Sequence, residues 1–362
     1  MLLAAVALAA TATPDLAPIM PLASRSLLLD ITQAGERLVV AGERGHILYS
    51  DDNGAQWRQA AVPTTQMLTG VYFVDDRRGW AAGHDGLVLA SEDGGATWRI
   101  QRDGLAAQHQ RNLELREEAL DSIQSLQSAL DNATDDQRED LQIALEDARF
   151  DLEDADIALS EPVFTSPLMG IWFQDANHGW AIGAFGTLIT TRDGGRHWTD
   201  AAGALENPDE FHLNTITGDG KGRVFIAGEG GVMFRSLDRG ESWQALPTIY
   251  EGSWFGAVYH ARSDALLVFG LRGHLYRSTD FGATWSPVEH DSQVSLAGGT
   301  ASTTGDIVLG GAVGTYLTSY DGGLNFTRKA LRDRLSLASG LHLNERLILI
   351  GQGGVKVLPE GR

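Results

Sequence analysis

Cysteine is absent from the 362-residue chain. That excludes disulfides, a thiol-borne lipid anchor and any thiolate metal site. Basic residues are few: 28 Lys and Arg stand against 48 Asp and Glu, for a net charge of −20. A polyanion is therefore repelled at long range, and nucleic acid is excluded as the expected partner. After the N-terminal stretch no run approaches the roughly 20 apolar residues that span a bilayer, so no direct membrane span is expected. The ten histidines show no H-E-x-x-H spacing, and no Asp-x-Asp-x-Asp-Gly loop is present, so neither metal nor cofactor is expected. The excess is in glycine, 43 residues, within a chain that is 43% hydrophobic, the mark of a folded and turn-rich protein.

The opening residues MLLAAVALAATATPDLAP form a short apolar run closing on Ala10-Thr11-Ala12, a small-x-small pattern. Residues 1–12 are read as a signal peptide and the protein as exported and periplasmic.

One short sequence recurs seven times, as in AGERGHILYS at Ala41 and AGHDGLVLAS at Ala82. The leading glycines are Gly42, Gly83, Gly183, Gly228, Gly270, Gly311 and Gly351, spaced by 41, 100, 45, 42, 41 and 40 residues. Six copies are followed by S/T-x-D-x-G-x-x-W or its Phe variant, with Asp52, Asp93, Asp193, Asp238, Asp280 and Asp321 at its centre. Such an Asp accepts hydrogen bonds from its own turn, and the Gly two residues later adopts positive φ. These six carboxylates are therefore read as structural. Before each leading glycine lies an apolar segment centred on Asp30, Gly70, Gly170, Thr215, Gly256, Gly298 or Ser339. The fold class that follows is all-β, a seven-bladed β-propeller of roughly four strands per unit. The seventh unit stops after VKVLPEGR, and the N-terminal stretch LAPIMPLAS is expected to supply its missing outer strand.

The long step holds an insertion, residues 104–165, with sixteen Asp or Glu and four Arg. It is expected to be an α-helical coiled-coil hairpin, with helices near 106–130 and 135–159 around the turn DNATDD. Leu141, Leu145, Ala148, Leu152, Ala155 and Leu159 make the seam of the second helix, and Leu113, Leu120, Ile123 and Leu130 face it. Ile143, Phe150 and Ile157 form a separate stripe about 200° from that seam. The domain plan is thus 1–12 signal peptide, 13–103 first two blades with the closing strand, 104–165 hairpin, and 166–362 the remaining five blades.

The S-x-D-x-G-x-x-W repeats resemble the Asp-box, or BNR, repeats of β-propellers. Together with VDDRRGWAAG, QDANHGWAIG and DGGATW they resemble more narrowly the photosystem II stability/assembly factor family and its bacterial relatives. The resemblance implies a non-enzymatic, exported scaffold, periplasmic or lumenal, that binds the extracytoplasmic part of a membrane protein complex. For relatives outside photosynthetic organisms it implies an accessory of RND-type transporters. The alternative is a sialidase-like, glycan-acting or glycan-binding propeller. No F/Y-R-I-P segment supports it, and Tyr49, Tyr276 and Tyr316 fall at equivalent repeat positions. Partner contacts are expected at Ile143, Phe150 and Ile157, and at the G-x-x-G turn tips Glu43, Arg44, His84, Asp85, Phe185, Glu229, Arg272 and Gln352, which differ between units where the framework does not.

Overall fold

A computed structural model describes residues 16–343 and 346–359. The expected signal peptide lies outside the described residues. The described residues are mostly β, with seven antiparallel sheets and two long helices. Strands pair in chain order within every sheet, as meanders linked by tight turns. The first sheet shows the plan: Leu28–Ala34, Arg37–Gly42, Ile47–Ser50 and Arg58–Gln59. Six sheets have four strands, and the seventh has three: Leu337–Leu343, Arg346–Gly351 and Lys356–Pro359.

No described N-terminal residue forms the fourth strand expected there. Leu16–Ser26 follows the first sheet instead: the Ala17 N–H donates to Val62 O at 2.7 Å and the Met20 N–H to Gln59 Oε1 at 2.9 Å. It meets the seventh sheet through Ala23, buried with Leu341, Ile348 and Ile350, and through a bond from the Val355 N–H to Ser24 O at 2.9 Å, without a ladder. Pro18 and Pro21 lie within this stretch, and proline has no N–H to give a ladder.

The leading glycines answer to crowding. In the first sheet a register shift between Leu28 and Asp30 bulges the first strand toward Gly42, and a Cβ there would lie 2.2 Å from Leu27 O. At Gly228 it would lie 2.0 Å from His212 O. In the first six sheets the second glycine of the G-x-x-G closes a type I′ turn. Arg44 (φ 56°, ψ 30°) and Gly45 (φ 69°) are both left-handed, and the His46 N–H returns to Glu43 O at 2.9 Å.

All seven segment centres from Asp30 to Ser339 lie in first strands. Small size there is a packing need at some of them: a Cβ on Gly256 would lie 2.3 Å from the Phe269 ring. Polar side chains along these strands have a second use, tying one sheet to the next. Asp30 Oδ2 accepts from the Val71 N–H at 2.9 Å, Asn214 Nδ2 donates to Trp254 O at 2.8 Å, and Thr300 Oγ1 to Gly340 O at 2.8 Å.

The chain divides into two compact units. One comprises residues 1–81, 90–99 and 255–362; the other comprises 82–89 and 100–254. In the first, Leu28, Ile31, Leu38, Val40, Leu48, Leu341, Ile348 and Ile350 form a buried cluster, and Trp57 of the first Asp box packs on it. In the second, Trp172 stacks on the buried Trp180 at 5.7 Å, and Trp198 meets Phe173 edge-on at 5.9 Å.

The insertion belongs to the second unit and forms two helices, α1 (Gly104–Asp131) and α2 (Asp135–Ser160). Asp103 caps α1 through the Ala106 N–H at 3.1 Å; Thr134 and Gln137 form a capping box on α2. The α2 seam is as expected, with Leu145, Ala148 and Ala155 buried. On α1 the seam keeps the expected Ile123 and Leu130, but Asn112 and Ala119 take the places expected for Leu113 and Leu120, one residue earlier. It runs through Asn112, Arg116, Ala119, Ile123, Leu126 and Leu130, while Leu113 and Leu120 are 42% and 40% exposed. The polar member is satisfied: Asn112 Nδ2 donates to Ala158 O at 3.3 Å and Asn112 Oδ1 accepts from Gln108 at 2.9 Å. Arg116 reaches Asp156 at 2.6 Å.

Candidate partner-binding site

The Asp-box carboxylates are all spent on their own turns. In the second copy the Ser91 hydroxyl donates to Asp93 Oδ1 at 2.9 Å and accepts from the Gly95 N–H at 2.9 Å. Asp93 then accepts from the Thr97 N–H and hydroxyl, at 2.9 and 2.6 Å. Equivalent bonds hold Asp52, Asp193, Asp238, Asp280 and Asp321. The Ser242 hydroxyl and N–H lower the Asp238 carboxyl to about 2. Partial burial pushes Asp280 up, but bonds from Thr284 and Ser278 outweigh it and leave it also at about 2. With φ of 81° to 88° at Gly54, Gly95, Gly195 and Gly282, the glycines take the left-handed conformation that these turns require.

The turn tips separate into two kinds. Glu43, Glu229 and Gln352 bend back onto their own sheets, accepting from the N–H groups of Leu27, His212 and Ser336 at 3.1, 3.3 and 3.3 Å. These three are brace residues, which their variation in the sequence had concealed. Arg44, His84, Phe185 and Arg272 are exposed, and Asp85 is partly so. Val313, absent from the expected set, also projects at a tip, 45% exposed with φ 57°.

In the second unit several expected residues come together around the base of the hairpin. Gly104 rests on the His84–Gly86 turn so closely that a Cβ would lie 2.1 Å from Asp85 O. Arg102 donates to Gly86 O; burial lowers its pKa, while Asp103 and Asp200 oppose the shift. Beside this contact opens a cleft of about 580 Å³, lined by Arg102, Gln108 and Arg111, by Phe164 and Thr165 of the return segment, and by Phe185, Trp198 and Asp200. Phe164 and Phe185 meet edge-on at 6.4 Å and are 68% and 52% exposed. Phe185 also packs on His212 at 4.9 Å, and its N–H donates to His212 Nδ1 at 2.8 Å. Phe164 was missed in the sequence; its signal was a lone aromatic at the end of an insertion otherwise poor in them.

The lining is an aromatic pair with charges of both signs at its margin, suited to holding a polypeptide surface. Among the described residues no three His, Asp or Glu side chains converge as a metal site. Tyr49, Tyr276 and Tyr316 lie on third strands, with Tyr49 under the Arg37 guanidinium at 4.4 Å and Tyr316 buried. The apolar stripe of α2 stands away from the cleft and in solvent, Ile143, Phe150 and Ile157 being 54%, 64% and 48% exposed. No helix among the described residues is long and apolar enough to cross a membrane.

Known proteins agree with this framework. A photosystem II assembly lipoprotein Ycf48 from Synechococcus sp. (strain CC9902) is 28% identical over 158 residues, 43% of this chain and 46% of that one. The match thus spans about half the length of this curated relative. A solved YCF48 bound to D1 peptide superposes with a TM-score of 0.61 at 13% identity, covering 93% of both chains. An ancestral GH74 enzyme gives 0.62 at 10% identity, covering 96% of this chain and 46% of that one. At such identities both structures establish the β-propeller fold and nothing further. The family described as Photosynthesis system II assembly factor YCF48 matches residues 49–123 and 159–354, on both sides of the hairpin tip. The chain belongs to this family.

Proposed function

We propose that the protein is an exported, non-enzymatic assembly or accessory factor that binds the extracytoplasmic part of a membrane protein complex. In this reading the seven repeats make a seven-bladed propeller, and the hairpin is a coiled-coil arm contributing to recognition. The observation that carries it is the concentration of exposed apolar side chains on and beside the insertion, Ile143, Phe150, Ile157, Phe164 and Phe185, on a framework shared with assembly factors. Scattered exposed apolar residues need no explanation, but aligned and paired ones mark contact surfaces. That a related structure holds a D1 peptide supports a polypeptide ligand from a membrane complex. No comparison speaks for an RND-type transporter or a sialidase-like activity.

The test is affinity purification of the tagged full chain from detergent-solubilised membranes, with the co-eluting proteins identified by mass spectrometry. Subunits of one membrane complex should co-elute, and fewer should be recovered with Phe164→Ser combined with Phe185→Asn. Recovery of soluble proteins alone, at wild-type levels for both forms, would refute the reading.

A further inference from the structure

The solvent face of α2 is more specific than a row of apolar side chains. Ile143, Phe150 and Ile157 recur every seven residues, about 180° around the helix from the buried Leu145, Ala148 and Ala155. Three and four residues after each of the first two come paired acids, Glu146 and Asp147, then Glu153 and Asp154; Asp136 and Glu139 precede the line. All six carboxylates are exposed. The hairpin's ion pairs join Arg111, Arg116 and Arg138 to Glu114, Glu118, Asp156 and Asp135, so among the described residues none of these six is ion-paired. The two arginines of α2, Arg138 and Arg149, project roughly 100–120° away. The face is a line of apolar knobs with carboxylates between them, and Arg149 stands at its edge, near Glu153 and Ile157.

We infer that this face receives a cationic amphipathic helix of the partner, laid along α2 as a third helix against the hairpin. Knobs seven residues apart stand about 10.5 Å apart, two helical turns, which a second helix running alongside can meet repeatedly. The paired acids flank the knobs as charged e and g residues flank a coiled-coil seam. The complementary sequence is an apolar stripe bordered by Lys or Arg, over at least about 21 Å of helix. A second copy of this chain is a poor occupant, because the insertion carries sixteen acids against four arginines and repels itself. An anionic bilayer is repelled likewise. The inference rests on the accessory-factor reading and narrows the partner's chemistry.

The probe is a three-heptad helical peptide with Leu on one stripe and Lys elsewhere, alongside the same peptide with Glu for Lys, titrated against the full chain by fluorescence anisotropy. The Lys peptide should bind and the Glu peptide should not. Ile143→Ser/Phe150→Ser/Ile157→Ser leaves the charge unchanged and should weaken binding at least about tenfold. Glu146→Gln/Asp147→Asn/Glu153→Gln/Asp154→Asn should weaken it several-fold and flatten its salt dependence. Because every altered side chain is exposed, melting temperatures should match wild type. Equal binding of the Lys peptide by wild type and the triple-serine form would reduce the effect to general charge attraction and overturn the inference. So would stripe-dependent dimers in sedimentation, or stripe-dependent flotation with phosphatidylglycerol vesicles. In the membrane purification, full recovery of the complex by the triple-serine form overturns this inference while the accessory-factor reading stands. Failure of wild type to recover any complex overturns that reading instead.

Discussion

Asp30 tests whether a polar tie between sheets has an energetic cost. Its carboxyl accepts from the Val71 N–H at 2.9 Å and the Ile31 N–H at 2.8 Å. Those bonds favour the charged form, but burial outweighs them and pushes the pKa from 3.8 up to about 7. At about 1.4 kcal/mol per pH unit, a gap of that size is a difference of roughly 4 kcal/mol between the two protonation states. Because the folded pKa is raised, the group's stabilisation is complete below about pH 4 and is lost as pH rises through 7. Linkage puts about 2–3 kcal/mol of that loss between pH 5 and 8. Asp30→Asn cannot titrate, and loses hydrogen-bond energy equally at both values. Urea midpoints for both forms at pH 5, 6, 7 and 8 cancel every other titration. The stability difference should move toward the variant by about 2–3 kcal/mol across this range. Parallel profiles would refute the assignment.

The leading glycines give a second test: Gly228→Ala, with its Cβ 2.0 Å from a backbone oxygen, should lower stability by more than about 2 kcal/mol, whereas Gly203→Ala, with no atom within 4 Å, should not. Thermal melting of the two, side by side, decides. Val313 is β-branched at φ 57°, a conformation costing roughly 1–2 kcal/mol, so Val313→Asn should raise the melting temperature; a drop would show that Val313 is held by contacts that offset the strain. Replacing residues 106–160 with a short Gly/Ser bridge should leave a folded, cooperatively melting protein that recovers less of the membrane complex. Loss of folding in that form would show that the hairpin is integral to the sheets.

The scaffold was legible because it is repeated. Seven leading glycines and six Asp boxes, each with a local steric or hydrogen-bonding reason, set the strand order within a unit and the place where the repeat is interrupted. The second helix was equally clear, since the 4-3 spacing of its seam admits one solution. The first helix misled. It offers two parallel lines, Leu113 with Leu120 and Asn112 with Ala119, one residue and so about 100° apart. Hydropathy prefers the leucines, but close helix approach favours the small Ala119, and Asn112 becomes tolerable once Gln108 and the Ala158 carbonyl satisfy it. Such compensation depends on the neighbouring helix and cannot be read from α1 alone.

The turn tips show why variation is an incomplete guide to a recognition surface. Glu43, Glu229 and Gln352 differ from their equivalents His84, Ala184, Leu271 and Ala312, yet each long polar side chain brackets the start of the first strand of its own sheet. The residues at that position in the second and third sheets, His84 and Ala184, make no such brace. In the third sheet the stretch preceding the first strand is the return of the hairpin, Phe164 to Pro167, and Ala184 keeps the backbone bond that Glu43, Glu229, Ala312 and Gln352 also make, its N–H donating to Pro167 O at 3.1 Å. Phe185 takes the same left-handed backbone as Arg44, Asp85, Arg272 and Val313 at this position, and its ring meets Phe164, with the cleft between them. The proposed recognition surface thus lies where the insertion rejoins the repeat, because the inserted chain brings Phe164 beside a turn tip that carries Phe185.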